Sequence, residues 1–418
     1  MRPWERRLVD LSTILLDCCQ HYYDPDKFRI SSNQFLQTSR TITFIIQKNK
    51  ASIPNFDTWY DSCVITPWKT DELMTWAKDS RNKIEKEGDL ETFSTLEAVL
   101  LFSYLEEQDL VIRLRRKELL TAGVKKLIRL SEKVLPTGVS DAAVIRIERQ
   151  WIANSLQEWE MLNAFIYIYN QIYKCCQALA EHIGSQLPSE VPSPSSMSTL
   201  RENSVLPQYI KLRDRKSHRY MHQSHDQPAD FSPPEGFRIA IQQAKVSGEN
   251  PRNLGEAVQW YSRFAKAMFE SQGNHVFLLL LFDETWKPLD FTGVHFEDQA
   301  DKYIFWRRLA DKVSAIQPAG LIFIGELWIR EIRNFAIDAI REMPIIDECL
   351  QVIGVESSGK IEDVTWRILR TSENSLPTLQ LLTRGYTKPA QQTPNFLVPA
   401  LRAMGYQSIN PGISKDVI

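Results

Sequence analysis

An arginine, an asparagine and two carboxylates lie within nine residues of one another, close to the end of a predicted helix. Arg81 and Asn82 are adjacent, and Glu87 and Asp89 follow on either side of Gly88. A carboxylate whose pKa is raised by burial can accept a proton near neutral pH, so Glu87 or Asp89 is a candidate base beside Arg81 and Asn82. The alternative is structural: Arg81 and Asn82 pair with Asp89 or with backbone groups and fix the turn between two helices.

A second group of polar residues is basic. Five positive charges fall within nine residues and are interrupted by Asp214 alone; they are Lys211, Arg213, Arg215, Lys216 and Arg219. In a chain with a formal net charge of -2, bulk charge does not attract nucleic acid, so phosphate binding needs a local cluster of this kind. The cluster is the candidate nucleic-acid-binding strip, with RNA as the expected ligand, and a solvated linker is the alternative.

Three histidines follow this strip directly. His218, His222 and His225 lie at positions i, i+4 and i+7, and a helix would place their imidazoles on one face, as a zinc site requires. However, the basic surroundings repel a cation and no Cys or Glu nearby completes a ligand set. We therefore expect no metal and no other cofactor.

Two carboxylates occur in apolar runs that predict strands. Asp283 ends one such run and Glu326 lies within another, which resembles the arrangement of metal nucleases. The lysine usually found two residues after the glutamate is replaced by Trp328, and no Gly-rich phosphate loop or Gly-x-Ser-x-Gly elbow occurs. We interpret Glu326 as a paired structural group.

The elements that position these residues divide the chain into three parts. Residues 1–185 show helical periodicity and predict an all-α helical bundle, residues 186–235 are Pro/Ser-rich and predict a basic linker, and residues 236–418 predict a small α/β domain with a mixed sheet. The fold class is therefore multidomain, with the bundle followed by the α/β domain.

Capping signals give the helix boundaries of the first part. Asp24 and Asp71 start helices, Gly88 ends one, and Ser94 with Glu97 forms a capping box for another. The last predicted helix runs from Ser140 to the Gly184 stop, with a kink or break near Asn163.

In the third part, apolar runs predict strands and amphipathic periodicity predicts helices. We expect a helix around Ala257 to Phe269 and another from Asp298 to Gln317. Strands are expected over 276–282, 289–296, 321–328 and 379–382, with a hairpin around the turn 357–360.

The segment NQFLQTSRTITFIIQK, with FDTWY and RNKIEKEGDLETFS after it, resembles prokaryotic proteins whose N-terminal helical domain is similar to the HEPN superfamily. The resemblance covers roughly the first 190 residues. HEPN ribonucleases carry an Arg, a polar residue and, four to six positions later, a His. Arg81 and Asn82 match the first two, whereas the His is absent here. The resemblance implies action on an RNA phosphate across a dimer interface, in a stress-response or phage-defence setting, and the missing His implies a non-catalytic domain.

Composition is that of an ordinary globular protein, with 418 residues of which 43% are hydrophobic and 24% charged. The six cysteines lack CxxC spacing, and the charged N-terminus lacks a signal-peptide core, so we expect reduced thiols and a cytoplasmic protein that does not engage membranes. The Trp59-Tyr60 pair is the predicted partner surface.

The leading hypothesis is an intracellular binding or assembly protein, whose partner is another protein of the same system or a second copy, and RNA in addition. Two alternatives remain open. One is a metal-independent ribonuclease that uses Arg81 with a carboxylate, and the other is a sensor whose α/β domain binds a small ligand.

Overall fold

The computed structural model describes residues 1–112, 124–218, 238–239, 242, 251–331, 333–334, 337–370, 376–388 and 393–406, except the side chains of 383–388. It has a helical N-terminal region followed by two antiparallel sheets, which confirms the predicted multidomain architecture of helical and α/β parts. Arg219, His222 and His225 lie outside the described residues.

The helical region brings together segments from both ends of the first 205 residues. Its helices are α1 (Pro3–Gln20), α2 (Pro25–Lys48), α3 (Phe56–Tyr60), α4 (Thr66–Lys69) and α5 (Glu72–Glu87), with two later ones at Met161–His182 and Pro194–Val205. The predicted caps are confirmed: Asp24 accepts from the backbone N–H of Lys27, and Asp71 from that of Met74. Leu8, Phe35 and Phe165 are fully buried in the shared core.

The first four strands of the first sheet occupy sequence that was predicted to be helical, and its last two lie in the predicted linker. Its strands are β1 (Thr92–Leu101), β2 (Leu110–Val111), β3 (Val144–Ala153), β4 (Leu156–Glu160), β5 (Gln208–Lys211) and β6 (Ser217–His218), in the order β2-β1-β3-β5-β6 with β4 paired to β3. All of these pairs are antiparallel. Two further helices, α6 (Val124–Val134) and α7 (Thr137–Ser140), lie between β2 and β3.

Two predicted helices are therefore wrong. Ser94 does not cap a helix but lies in β1 opposite Trp151, and the predicted helix from Ser140 is two strands followed by α8 (Met161–His182). The predicted break near Asn163 marks the real start of α8, where the Glu160 side chain accepts from the Asn163 backbone N–H. Cross-strand pairing overrides local helical signals here, because ten residues of β1 find partners on β3.

The Pro/Ser-rich segment begins with ordered structure instead of a linker. Pro194 is the first residue of α9 (Pro194–Val205), which Ser193 caps, and Met197 is buried against the helical core. Proline suits the first turn of a helix, so a proline-rich composition did not exclude one. The boundaries of the three predicted parts stay a prediction.

The second sheet has the order β12-β11-β10-β9-β7-β8, and every described pair is antiparallel, so the predicted mixed sheet is wrong. Short connections and hairpins, not crossover helices, join most neighbours. Its strands are β7 (Phe277–Phe282), β8 (Pro288–Val294), β9 (Gly320–Arg330), β10 (Ile345–Glu356), β11 (Ile361–Leu369) and β12 (Thr378–Lys388). The hairpin around residues 357–360 is confirmed.

Helices cover both faces of this sheet. They are α10 (Leu254–Gln272), α11 (Gln299–Ile316) and α12 (Val398–Ala403). Leu254 and Phe269 of α10 pack on one face, and Trp306 of α11 and Leu401 of α12 pack on the other. The first sheet also contacts α11, since Val144 shares a buried cluster with Ile304.

Candidate nucleic-acid interface

The Arg81 group is held by partners on its own helix and on α2. Arg81 Nη2 lies 2.7 Å from Glu85 Oε1, and Nη1 donates to Asn82 Oδ1 at 3.2 Å. The guanidinium also lies 5.5 Å from the centre of the Phe44 ring, and Arg40 lies over the same ring at 4.8 Å. Arg81 is thus engaged by a carboxylate four residues away and by an aromatic ring.

Asp89 has different partners, so the predicted pairing of Arg81 with Asp89 is wrong. Its carboxylate forms an ion pair with Arg29 and accepts from Asn33 Nδ2 at 2.6 Å, while Asn33 Oδ1 accepts from the backbone N–H of Leu90. Asn33 and Phe44 are eleven residues apart on α2, which is about 16 Å along a helix axis. The structure therefore does not bring Arg81 and Asp89 to one site; Asp89 secures the chain after α5 against α2.

Lys211 lies in the protein interior, although it is part of the predicted strip. Its side chain is 3% exposed, and Nζ lies 2.6 Å from Asp301 Oδ1 and 3.1 Å from Asp298 Oδ2. Burial lowers the pKa of Lys211, but the hydrogen bonds and charges of Asp301 and Asp298 outweigh burial and raise it above its ordinary value. Lys211 fastens the first sheet to α11 and is closed to phosphate.

The next residues of the strip are exposed in the turn between β5 and β6. Arg213, Arg215 and Lys216 all face solvent, and Arg215 adopts a left-handed φ of 56°. Asp214 accepts from the Lys216 backbone N–H at 2.8 Å, and its other oxygen lies 3.0 Å from His218 Nε2. These contacts shape the turn and leave the tips of the three cations outside the fold.

Helix α6 carries a second set of cations that the sequence interpretation missed. Leu127, Ile128 and Ser131 are buried, whereas four of the six exposed positions are basic: Lys125, Lys126, Arg129 and Lys133. The signal was present in the sequence, because residues 113–133 contain eight Lys or Arg and only two Glu.

The turn and α6 form one continuous basic surface, defined here by the exposed charges of α6 and of residues 213–216. Arg215 Nη2 lies 2.7 Å from Glu132 Oε1, and Leu127 of α6 shares a hydrophobic core with Ile210 and Leu212 beside the turn. Among the described residues of this surface, the seven exposed cations outnumber the neighbouring carboxylates, which are Glu132, Asp214 and Asp298, whose Oδ2 lies 3.9 Å from Arg213 Nη1. An excess of cations on one face attracts a polyanion.

The other candidate residues have structural roles. Asp283 accepts from the backbone N–H groups of Thr285 and Lys287 and so closes a turn. Glu326 accepts from the His275 backbone N–H at 2.5 Å, and Arg370 Nη2 lies 3.8 Å from its second oxygen. Burial raises the pKa of Glu326. No group of three metal-binding side chains occurs within the described residues.

The structure also shows the surroundings of the cysteines and of Trp59 and Tyr60. All six cysteines are free, and five of them are buried. Trp59 and Tyr60 are 6% and 5% exposed, so they belong to the core of the helical region and the predicted partner surface is wrong there. No helix within the described ranges is long and apolar enough to cross a membrane.

The architecture defines a class of protein with a helical N-terminal region, two antiparallel sheets and a basic surface on the first sheet. A family model described as bacteriophage lambda protein ea47 matches residues 2–398. Protein ea47 of Escherichia phage lambda is 40% identical over 407 residues, which is 97% of each chain. The chain therefore belongs to the bacteriophage lambda ea47 family. No solved structure matches it.

Proposed function

We propose that this protein is a cytoplasmic binding protein without enzymatic activity, and that it holds nucleic acid by the phosphate backbone at the basic surface. The observation that carries the proposal is the excess of exposed cations over carboxylates among the described residues of α6 and the adjoining turn, in a chain whose formal net charge is -2. Lys and Arg side chains that face solvent release counterions from nucleic acid when they contact phosphates, which drives binding without sequence specificity.

The proposal keeps a HEPN-like helical region as a hypothesis and treats it as non-catalytic. A HEPN ribonuclease needs its arginine to reach the RNA phosphate, whereas Arg81 is engaged by Glu85, Asn82 and Phe44. The carboxylate offered as a substitute base, Asp89, is engaged by Arg29 and Asn33. A stress-response or phage-defence setting depends on the HEPN resemblance only, and the binding proposal does not need it.

The test is a binding titration at several salt concentrations. Labelled single-stranded RNA, single-stranded DNA and duplex DNA of arbitrary sequence are titrated with the protein, and fluorescence anisotropy reports the affinity. We expect log affinity to fall linearly with log salt for at least one of the three. The variant carries Lys125→Gln, Arg129→Gln and Lys133→Gln. Removing three phosphate contacts lowers the slope by about 2 to 3 and weakens binding by about tenfold or more at moderate salt.

A matched control removes the same number of charges elsewhere. Lys48, Lys50 and Lys69 are exposed in the helical region, and their triple change to Gln alters the net charge equally. We expect the parent slope in this control. Equal losses in both triple variants would show a bulk-charge effect, and absence of binding at low salt would overturn the proposal. Degradation of the RNA that Arg81→Ala abolishes would establish the ribonuclease alternative instead.

A further inference from the structure

Strands β9 and β10 extend beyond the rest of the second sheet as a two-stranded ribbon, defined by residues 325–330 and 345–348. The pairing of β7 with β9 ends at Leu278 and Ile324, and the pairing of β11 with β10 ends at Arg367 and Cys349. β9 and β10 continue to pair with each other as far as Ile345 and Arg330. The outer edges of the ribbon therefore have no partner among the described strands.

The ribbon exposes large apolar side chains. Trp328 is 60% exposed and Ile346 63%, and Ile329 and Ile345 are each 43% exposed. All eleven tryptophans lie in the described residues, and Trp328 alone is exposed. Natural proteins rarely leave an unpaired strand edge and an apolar cluster in the same place, because together they promote association with another chain.

The two edges of the ribbon differ. On β10 the register shifts between Ile345 and Asp347, and such a bulge interrupts the regular spacing of the hydrogen-bonding groups. On β9 the register is regular, and residues 327–330 present an uninterrupted edge. The Arg330 side chain donates to the carbonyl of Met343 at 2.5 Å and so holds the tip of the ribbon closed. The outer edge of β9 therefore offers regularly spaced backbone hydrogen-bonding groups to another strand.

Charges around the ribbon are balanced within the chain. Arg367 Nε lies 2.7 Å from Asp347 Oδ2, and Arg370 Nε lies 2.8 Å from Glu348 Oε2. Arg330 stacks over the Trp328 ring at 5.6 Å. The strand register places Trp328 and Ile345 on one face of the ribbon and Ile329 on the other, so each face carries exposed apolar side chains. The charged groups beside them are paired or stacked within the chain, which makes the ribbon unsuited to a polyanion or a strongly charged partner.

We propose that the ribbon is a homodimer interface, in which the β9 edges of two copies pair antiparallel about a two-fold axis near Trp328. Antiparallel pairing about Trp328 places Trp328 opposite its own counterpart, Leu327 opposite Ile329 and Glu326 opposite Arg330, so a second copy matches the edge in both apolar character and charge. Two-fold pairing of identical surfaces is also the commonest closed arrangement of soluble proteins. The proposal is independent of nucleic-acid binding, because the ribbon and the basic surface share no residue.

Sedimentation equilibrium of the full chain, over a range of protein concentrations, tests the dimer. We expect a reversible dimer whose dissociation constant rises at least tenfold in Trp328→Glu. The matched control is Phe291→Glu, since Phe291 is 63% exposed on β8, at the far edge of the same sheet. It should leave the dimer intact, and circular dichroism should show both variants folded.

Hydrogen exchange supplies a second measurement that does not depend on a substitution. Amide exchange in residues 327–330 should slow when the parent protein dimerises, because pairing protects the backbone N–H groups of the β9 edge. A monomer at every concentration would overturn the proposal. Equal weakening of the dimer by Trp328→Glu and Phe291→Glu would also overturn it. The same holds if dimerisation leaves amide exchange in residues 327–330 unchanged.

Discussion

The Arg81 region and the basic surface both concentrate cations, but the cations meet different neighbours. Arg81 has Glu85 on the next turn of the same helix and Phe44 beneath it, so its charge is largely satisfied within the helical region. On the basic surface the seven exposed cations outnumber the neighbouring carboxylates Glu132, Asp214 and Asp298. An arginine in a suggestive motif is therefore weaker evidence for phosphate binding than a set of exposed cations that outnumber their carboxylates.

Lys211, at the end of β5, and Arg213, in the turn that follows, show the same contrast. Lys211 is paired with two aspartates at the contact with α11, whereas Arg213 is exposed and lies 3.9 Å from Asp298. Neutralising Lys211 should therefore lower folding stability, whereas neutralising the exposed cations should weaken nucleic-acid binding.

Lys211→Met should have the largest effect on folding. It leaves Asp298 and Asp301 without their buried cation, and breaking a buried ion pair typically costs about 3 to 5 kcal/mol of the free energy of unfolding. Chemical denaturation of parent and variant measures the difference. The control Lys216→Met removes an exposed cation from the same hairpin and should change stability by less than about 0.5 kcal/mol. A loss of less than about 1 kcal/mol for Lys211→Met would contradict the structural role.

The stability difference between the parent protein and Lys211→Met should decrease only as the pH rises. Because the pKa of Lys211 is raised above its ordinary value of 10.5, the ammonium contributes fully below that value and its contribution is lost as the pH rises through the folded-state pKa. The stability difference between parent and Lys211→Met should thus be constant between neutral and mildly alkaline pH, and should shrink only in strongly alkaline solution.

Asp89→Ala should have a smaller effect, confined to stability. The substitution removes the ion pair with Arg29 and leaves the buried Asn33 amide short of one acceptor, at a cost of about 1 to 2 kcal/mol. Thermal unfolding measures this loss. Nucleic-acid affinity should equal that of the parent, and an affinity loss in a folded Asp89→Ala protein would return Asp89 to the binding or catalytic group.

Arg81→Ala should have the smallest effect of the three. An i, i+4 ion pair that is partly exposed contributes about 0.3 to 0.5 kcal/mol, and the contact with the half-exposed Phe44 ring adds about 0.5 kcal/mol. Stability should fall by no more than about 1 kcal/mol, with unchanged affinity for RNA and DNA. A large loss of affinity with little loss of stability would make Arg81 a ligand-contacting residue and would erase the contrast with the basic surface.

Local signals were accurate where the chain forms structure from nearby residues. The caps at Asp24 and Asp71, the helix that follows Asp298 and the hairpin at residues 357–360 all depend on short-range contacts and were predicted correctly. Local signals failed for β1 and β3. Residues 92–101 and 144–153 are stabilised by pairing with each other across about forty residues of chain, and a capping box at Ser94 gives no information about that partner.

The candidate sites show the same division between features set by neighbouring residues and features set by long-range contacts. The sequence by itself determined that the chain has helical and α/β parts, that its cysteines lack disulfide spacing and that cations cluster after residue 210, because periodicity, spacing and charge are properties of neighbouring residues. Which of the cations are exposed depends on long-range contacts. The tertiary structure buried Lys211 between Asp298 and Asp301, joined the turn at Arg215 to α6 and left Trp328 exposed on an unpaired edge. Burial and charge pairing depend on residues distant in sequence, and these contacts decide whether a charge or an aromatic ring can meet a partner.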